Sequence, residues 1–228
     1  MAKTNAFEES SEAFLNNSDQ AYDECADGIA NLDKIIVSVG SRFSSMTRGY
    51  LLPIIYAYWE RFFRIVFAEY LRCVELISMH LNQLHPQLAQ FKLRRDLNDI
   101  LKRNSVKQLQ DIATSLGIDG AKIFCENLAA VFNTPITFTD PTNWVETESN
   151  VNFFVLETNC KNLGIDIEAI KKRLQESQIT LFSALKQLVD ARNQISHGET
   201  FRDMNQEEWE IIKNFTLTVM TAVQLELF

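Results

Sequence analysis

The chain has 228 residues, enough for one sizeable domain or a core domain with an appended helical layer. Hydrophobic residues make up 46 % of it and only seven glycines and four prolines interrupt them, which suits a helical protein and argues against a loop-rich one. A net charge of −8 disfavours nucleic acid as a partner at first sight, and the four cysteines (Cys25, Cys73, Cys125, Cys160) stand too far apart for a zinc site or a redox pair.

The first residues are polar and acidic, with Glu8, Glu9 and Glu12 where a signal peptide would need an apolar core. From Tyr22 the apolar positions run Cys25, Ile29, Leu32, Ile36 and Val39, a heptad-like stripe that predicts a long helix over about 7–39. Residues 1–33 carry eight acidic side chains against Lys3, so residues 1–40 read as an acidic packing or partner-facing arm, closed by the break at Gly40-Ser41. Residues 41–228 then form the main domain.

A second helix carries Ile55, Trp59, Phe62, Phe63, Val66 and Tyr70 on one broad stripe, with Glu60 beside it and Pro53 tolerable only in a first turn unless it kinks the helix. Its most apolar run, Gly49 to Trp59, is 11 residues long, against about 20 for a membrane span. The chain is therefore expected to be soluble and cytoplasmic. Residues 76–103 are predicted to continue as helix with a break near His85-Pro86. Between 92 and 107 six basic residues face two acidic ones; Lys92, Arg94, Arg95, Lys102 and Arg103 are either a solvated face or a local patch for RNA phosphates.

Short helices are predicted from Ser105 to Gly117 and from Asp119 to about Phe132. The tetrapeptide Leu-Gly-Ile-Asp recurs at 116–119 and 163–166, each time with glycine closing one helix and aspartate starting the next. Between them, 133–147 holds Pro135 and Pro141 around Thr-Ile-Thr-Phe-Thr and predicts a loop or small hairpin whose exposed aromatics meet a substrate or partner. A helix from Asp166 to about Glu176 follows, then one over 178–197, and a last one opened by an Asn205/Glu208 capping box with Trp209, Ile212, Phe215, Val219, Ala222 and Val223 inward. The fold class is all-α, a helical bundle with one irregular segment.

The helix over 178–197 carries the chemistry. Leu181, Leu185 and Leu188 form its apolar stripe, and Arg192 falls on the continuation, where a guanidinium must snorkel, pair or face a cleft. Asn193 and His197 lie four apart, and Gly198 is a natural helix stop. RNA can be cut without a metal if an imidazole moves protons at the 2′- and 5′-oxygens while a guanidinium takes the growing phosphoryl charge. Arg192, Asn193 and His197 supply those groups, although a dipole-stabilising cap or an ion pair would use the same residues. His80 and His85 do not converge on a metal, and no phosphate-loop, dinucleotide or serine-hydrolase motif is present, so neither metal nor cofactor is expected.

Arg192, Asn193 and His197 match the Arg-x4–6-His signature of the HEPN superfamily, and the chain resembles it in two further places. Tyr58-Trp59-Glu60-Arg61-Phe62-Phe63 is similar to the aromatic-Glu-aromatic helix of small stand-alone HEPN nucleases. Ser149-Asn150 with Leu163-Gly164 is similar to a segment of the RiboL-PSP and MAE branch. The resemblance implies a metal-independent endoribonuclease in which Glu60 helps hold Arg192, with RNA as substrate and a prokaryotic toxin or anti-phage role. Positions 192 and 197 are about 140° apart on an ideal helix; the helix must end or bulge before His197, or a second chain must complete the site, and the resemblance implies a homodimer. Nucleotidyltransferase-paired toxins of this group often carry a tyrosine two places after the histidine. Glu199 stands there, which favours a different antitoxin or other regulatory partner, or none. The competing expectation is a non-catalytic HEPN-like dimer that binds RNA or protein.

Overall fold

A computed structural model describes residues 2–77, 80–103, 135–147, 150–176, 180–196 and 203–227, without the side chains of 2–7, 97–103, 176, 184, 195 and 196. Among the described residues there are seven α-helices and no strand: α1 (Ala2–Ser38), α2 (Ser41–Leu76), α3 (Pro86–Arg103), α4 (Phe153–Leu163), α5 (Ile167–Glu176), α6 (Leu181–Ser196) and α7 (Gln206–Leu227). Short 3-10 turns stand at Leu81–Gln83 and Pro141–Trp144. No described helix is long and apolar enough to cross a membrane. The expected helices over 105–132 lie outside the described residues.

The centre of the bundle is α2. Trp59, Phe62, Phe63, Val66, Phe67 and Leu71 are fully buried, and the rings of Phe63 and Phe67 lie 4.4 Å apart. A helix this apolar on most sides must be covered on most sides, and α1, α6, α7 and the Pro141–Trp144 turn all pack on it. The heptad stripe of α1 does as its spacing predicts: Cys25, Ile29, Leu32 and Ile36 are buried, while Val39 falls in the turn and is exposed. At Gly28 the two helices approach so closely that a Cβ would stand 2.3 Å from the Tyr58 ring. Pro53 lies inside α2 rather than in its first turn.

Two expectations are corrected here. Residue 77 and residues 80–85 are not part of an α-helix: α2 closes at Leu76, His80 makes an isolated bridge to Pro135, and α3 starts afresh at Pro86. Proline at a first helical position has no intrahelical use for its missing N–H, so it opens α3 at no loss. The 133–147 segment is non-helical as expected where described, but its aromatics are not exposed. Phe138 and Trp144 are buried, edge-to-face with each other at 5.1 Å, and Trp144 meets Phe91 of α3 at 5.9 Å. Glu75 accepts the Phe138 N–H at 3.3 Å, tying the segment to the end of α2.

Local signals of capping are obeyed closely. Gly164 has φ +77°, Ile165 N–H reaches back to the Cys160 carbonyl at 2.8 Å, and Asp166 accepts the Glu168 N–H at 2.9 Å. Asn205 and Glu208 exchange both bonds of the capping box, at 2.9 and 3.2 Å. All six predicted inward residues of α7 are buried. Lys213 of α7 is buried too, paired with Asp33 of α1 and with Glu210 at 3.1 Å, while the indole N–H of Trp209 donates to Asp33 at 2.7 Å.

Candidate active site

Helix α6 is α-helical at every residue from 181 to 196 and packs on α2. Its stripe of Leu181, Leu185 and Leu188 is buried against the core, and Arg192, one turn further on, is half-buried. The guanidinium is thus carried to the rim of the α2–α6 seam by the same periodicity that buries the leucines. There Arg192 Nη1 donates to Asn193 Oδ1 at 3.2 Å. His197, the next signature residue, lies outside the described residues.

Across the seam stands Tyr56, whose phenol is buried. Its oxygen accepts the Val151 N–H at 2.7 Å, and the Glu60 carboxylate one turn along α2 bears on it electrostatically. Burial pushes the Tyr56 hydroxyl up to about 12; Glu60 adds to that, while the Val151 N–H and the Arg192 charge oppose it. Arg192 of α6 and Glu60 of α2 are thus both within electrostatic reach of one buried phenol. Arg61, next to Glu60 in the chain, pairs with Glu24 of α1.

The third wall is the 150–152 segment. Val151 is held at both ends of its backbone, its N–H by Tyr56 and its carbonyl by the Trp59 indole at 2.9 Å. Asn152 caps α4 through the Val155 N–H at 3.0 Å. Just before them Asn150 Oδ1 is buried without a hydrogen-bond partner. Buried polar atoms of that kind are uncommon and call for a ligand, water or function. Ser149 lies outside the described residues.

The basic run of α3 behaves differently from its sequence. Lys92 is 8 % exposed, paired with Asp96 at 2.9 Å and set over the Phe138 and Trp144 rings at 5.4 and 5.1 Å. It is turned inward and has little surface for a phosphate. Arg95 lies 4.6 Å over Trp144 and donates to the Asn143 carbonyl; Arg94 is exposed beside Phe91 at 5.8 Å. The side chains of Lys102 and Arg103 lie outside those described. Among the described residues no three His, Cys, Asp or Glu side chains could hold a metal ion.

Tyr56 and Val151 are the members that sequence reasoning missed. The available signal for Tyr56 is its place four residues before Glu60, on the same helix face. For Val151 it is only proximity to the Ser-Asn pair.

A family profile described as RiboL-PSP-HEPN matches residues 6–227, almost the whole chain, and spans α1 to α7. This chain belongs to the RiboL-PSP branch of the HEPN superfamily. No curated protein and no solved structure matches it. Membership makes it an HEPN helical domain of nuclease-like or RNA-related kind, and the Tyr56–Glu60–Arg192 cluster lies where the HEPN signature helix meets the aromatic helix.

Proposed function

We propose that this HEPN protein is a metal-independent endoribonuclease acting at a site shared by two copies of the chain, in a prokaryotic toxin or anti-phage role. The observation that supports the reading is that Glu60 and Arg192 are both within electrostatic reach of the buried Tyr56, with Asn193 bonded to the same guanidinium. In this reading Glu60 and Tyr56 orient Arg192, whose paired donors take the charge that builds on the phosphoryl oxygens. His197 moves the proton from the attacking 2′-hydroxyl or to the leaving 5′-oxygen, and Asn193 orients the phosphate or the imidazole. The products carry a 2′,3′-cyclic phosphate and a free 5′-hydroxyl. Residues 1–40 serve as an acidic arm laid on the 41–228 body, and an antitoxin or other regulatory protein restrains the activity.

The test is cleavage of RNA by purified protein in EDTA. Wild type should cut, and Arg192→Ala and His197→Ala should each be slower by about a thousand-fold. Equal cutting by all three overturns the assignment. The net charge of −8 favours a second reading, a non-catalytic dimer that binds RNA or protein. Toxicity on expression that Arg192→Ala relieves decides for the enzyme; toxicity unchanged by it decides for the module.

A further inference from the structure

Phe153 and Phe154 open α4 and Phe182 opens α6, and the three rings meet edge-to-face with centroids 5.6, 5.8 and 6.1 Å apart. Two of them are held out of the core: Phe154 is 61 % exposed and Phe182 45 %. Each edge-to-face contact covers one ring face, so the open aromatic surface is what the exposed Phe154 and Phe182 still present to solvent. The cluster is continuous with the candidate site. Phe153 follows Asn152 directly, so its Cα lies within roughly 8 Å of the Val151 that Tyr56 holds. Phe182 is ten residues before Arg192 on one helix, roughly 15 Å away, a span of a few nucleotides.

We propose that Phe153, Phe154 and Phe182 form a stacking subsite for unpaired bases of the RNA, leading the strand into the Tyr56–Glu60–Arg192 cluster. This rests on the ribonuclease reading and extends it. The charge pattern favours bases over a phosphate track. Lys171, 5.1 Å over the Phe153 ring, is already engaged by Glu168 at 2.6 Å and Glu157 at 3.9 Å, and Lys92 is turned into the core. With Lys171 engaged by carboxylates, the affinity of this face for a single strand would come from π-faces, which are sequence-tolerant.

The probe is a short single-stranded 2′-O-methyl RNA, which the wild-type chain cannot cut because the attacking hydroxyl is capped. Fluorescence anisotropy should show the Phe154→Ala/Phe182→Ala variant binding about 10- to 100-fold more weakly. The slope of affinity against salt should stay as in wild type, since no phosphate contact is lost. Phe154→Trp/Phe182→Trp should bind at least as well as wild type, and an abasic probe should bind wild type and the alanine variant alike. Unchanged affinity in the alanine variant, an equal loss with the abasic probe, or a change of oligomeric state without loss of RNA binding overturns the subsite. Because the assay reads binding alone, failure of wild type to cleave ordinary RNA counts against the ribonuclease reading and not against the subsite.

Discussion

Two polar clusters interrupt the apolar faces of this bundle, one between α1 and α7 and one between α2 and α6. In the first, both oxygens of Asp33 have donors, Trp209 and Lys213, and Lys213 has a second carboxylate in Glu210. Every charge there has an answer within the chain. In the second, Tyr56 holds Val151, the half-buried Arg192 is bonded to Asn193, and Asn150 Oδ1 beside Val151 in the chain has no hydrogen-bond partner. The first arrangement fastens two helices together. The second includes a buried acceptor with no partner, a feature that adds little to stability and suits a ligand. The two clusters should therefore respond oppositely to substitution, one through stability and the other through activity.

The largest expected effect is on the α2–α6 cluster. Glu60→Ala removes the carboxylate whose charge is felt at Tyr56 together with that of Arg192. RNA cleavage should fall by about 10- to 100-fold, chiefly in kcat, because the guanidinium loses orientation and not contact with substrate. Glu60 is half-buried and on the rim, so the denaturation midpoint should move little. A variant that unfolds readily but cleaves at the wild-type rate once folded would place Glu60 with the structural cluster instead.

These two clusters were unequally legible in the sequence, for a physical reason. What depends on near neighbours was readable: the leucine stripe of α6, the Asn205/Glu208 box and the Gly164 corner are all decided within a few residues. Arg192 stood out because it broke an apolar period. Tyr56 did not, since it counts as one more aromatic in the run from Gly49 to Trp59. Its role is set by Val151, 95 positions away. The same holds for Lys92, which reads as a solvated charge until Phe138 and Trp144 arrive from a later segment to cover it. Residues 77–85 read as helix because the bridge from His80 to Pro135 is invisible to local propensity.

The next effect in size belongs to the α1–α7 cluster. Asp33→Ala leaves the indole N–H of the fully buried Trp209 without an acceptor; a buried donor left so costs about 1–3 kcal/mol. The ion pair adds less, because the Asp33 side chain is 41 % exposed and water screens it. Chemical denaturation should register a loss of about 2 kcal/mol, while RNA cleavage by the folded fraction stays at the wild-type rate. Loss of activity out of proportion to stability would show that the two clusters are coupled through α2.

The smallest effect separates the clusters by pH. Burial alone would raise the Asp33 carboxyl, but the hydrogen bonds from Lys213 and Trp209 outweigh it and hold the group below its ordinary 3.8. A depressed carboxyl contributes stability that is present above 3.8 and lost as pH falls through the lower folded value. Asp33→Asn, which keeps a side-chain acceptor but cannot titrate, should therefore flatten the acid limb of stability below about pH 4 by less than about 1 kcal/mol. The alkaline limb has other owners. Burial lowers the Lys213 ammonium, and Asp33 and Glu210 more than reverse that, so its share is present below 10.5 and lost above it. The Tyr56 phenol, raised from 10.0 to about 12 by burial, loses its share as pH climbs between those values. Tyr56→Phe should flatten the alkaline limb and leave the acid limb as it is. If Asp33→Asn leaves the acid limb unchanged, Asp33 and Lys213 are not paired in solution, and the contrast between a closed cluster and an open one loses its closed member.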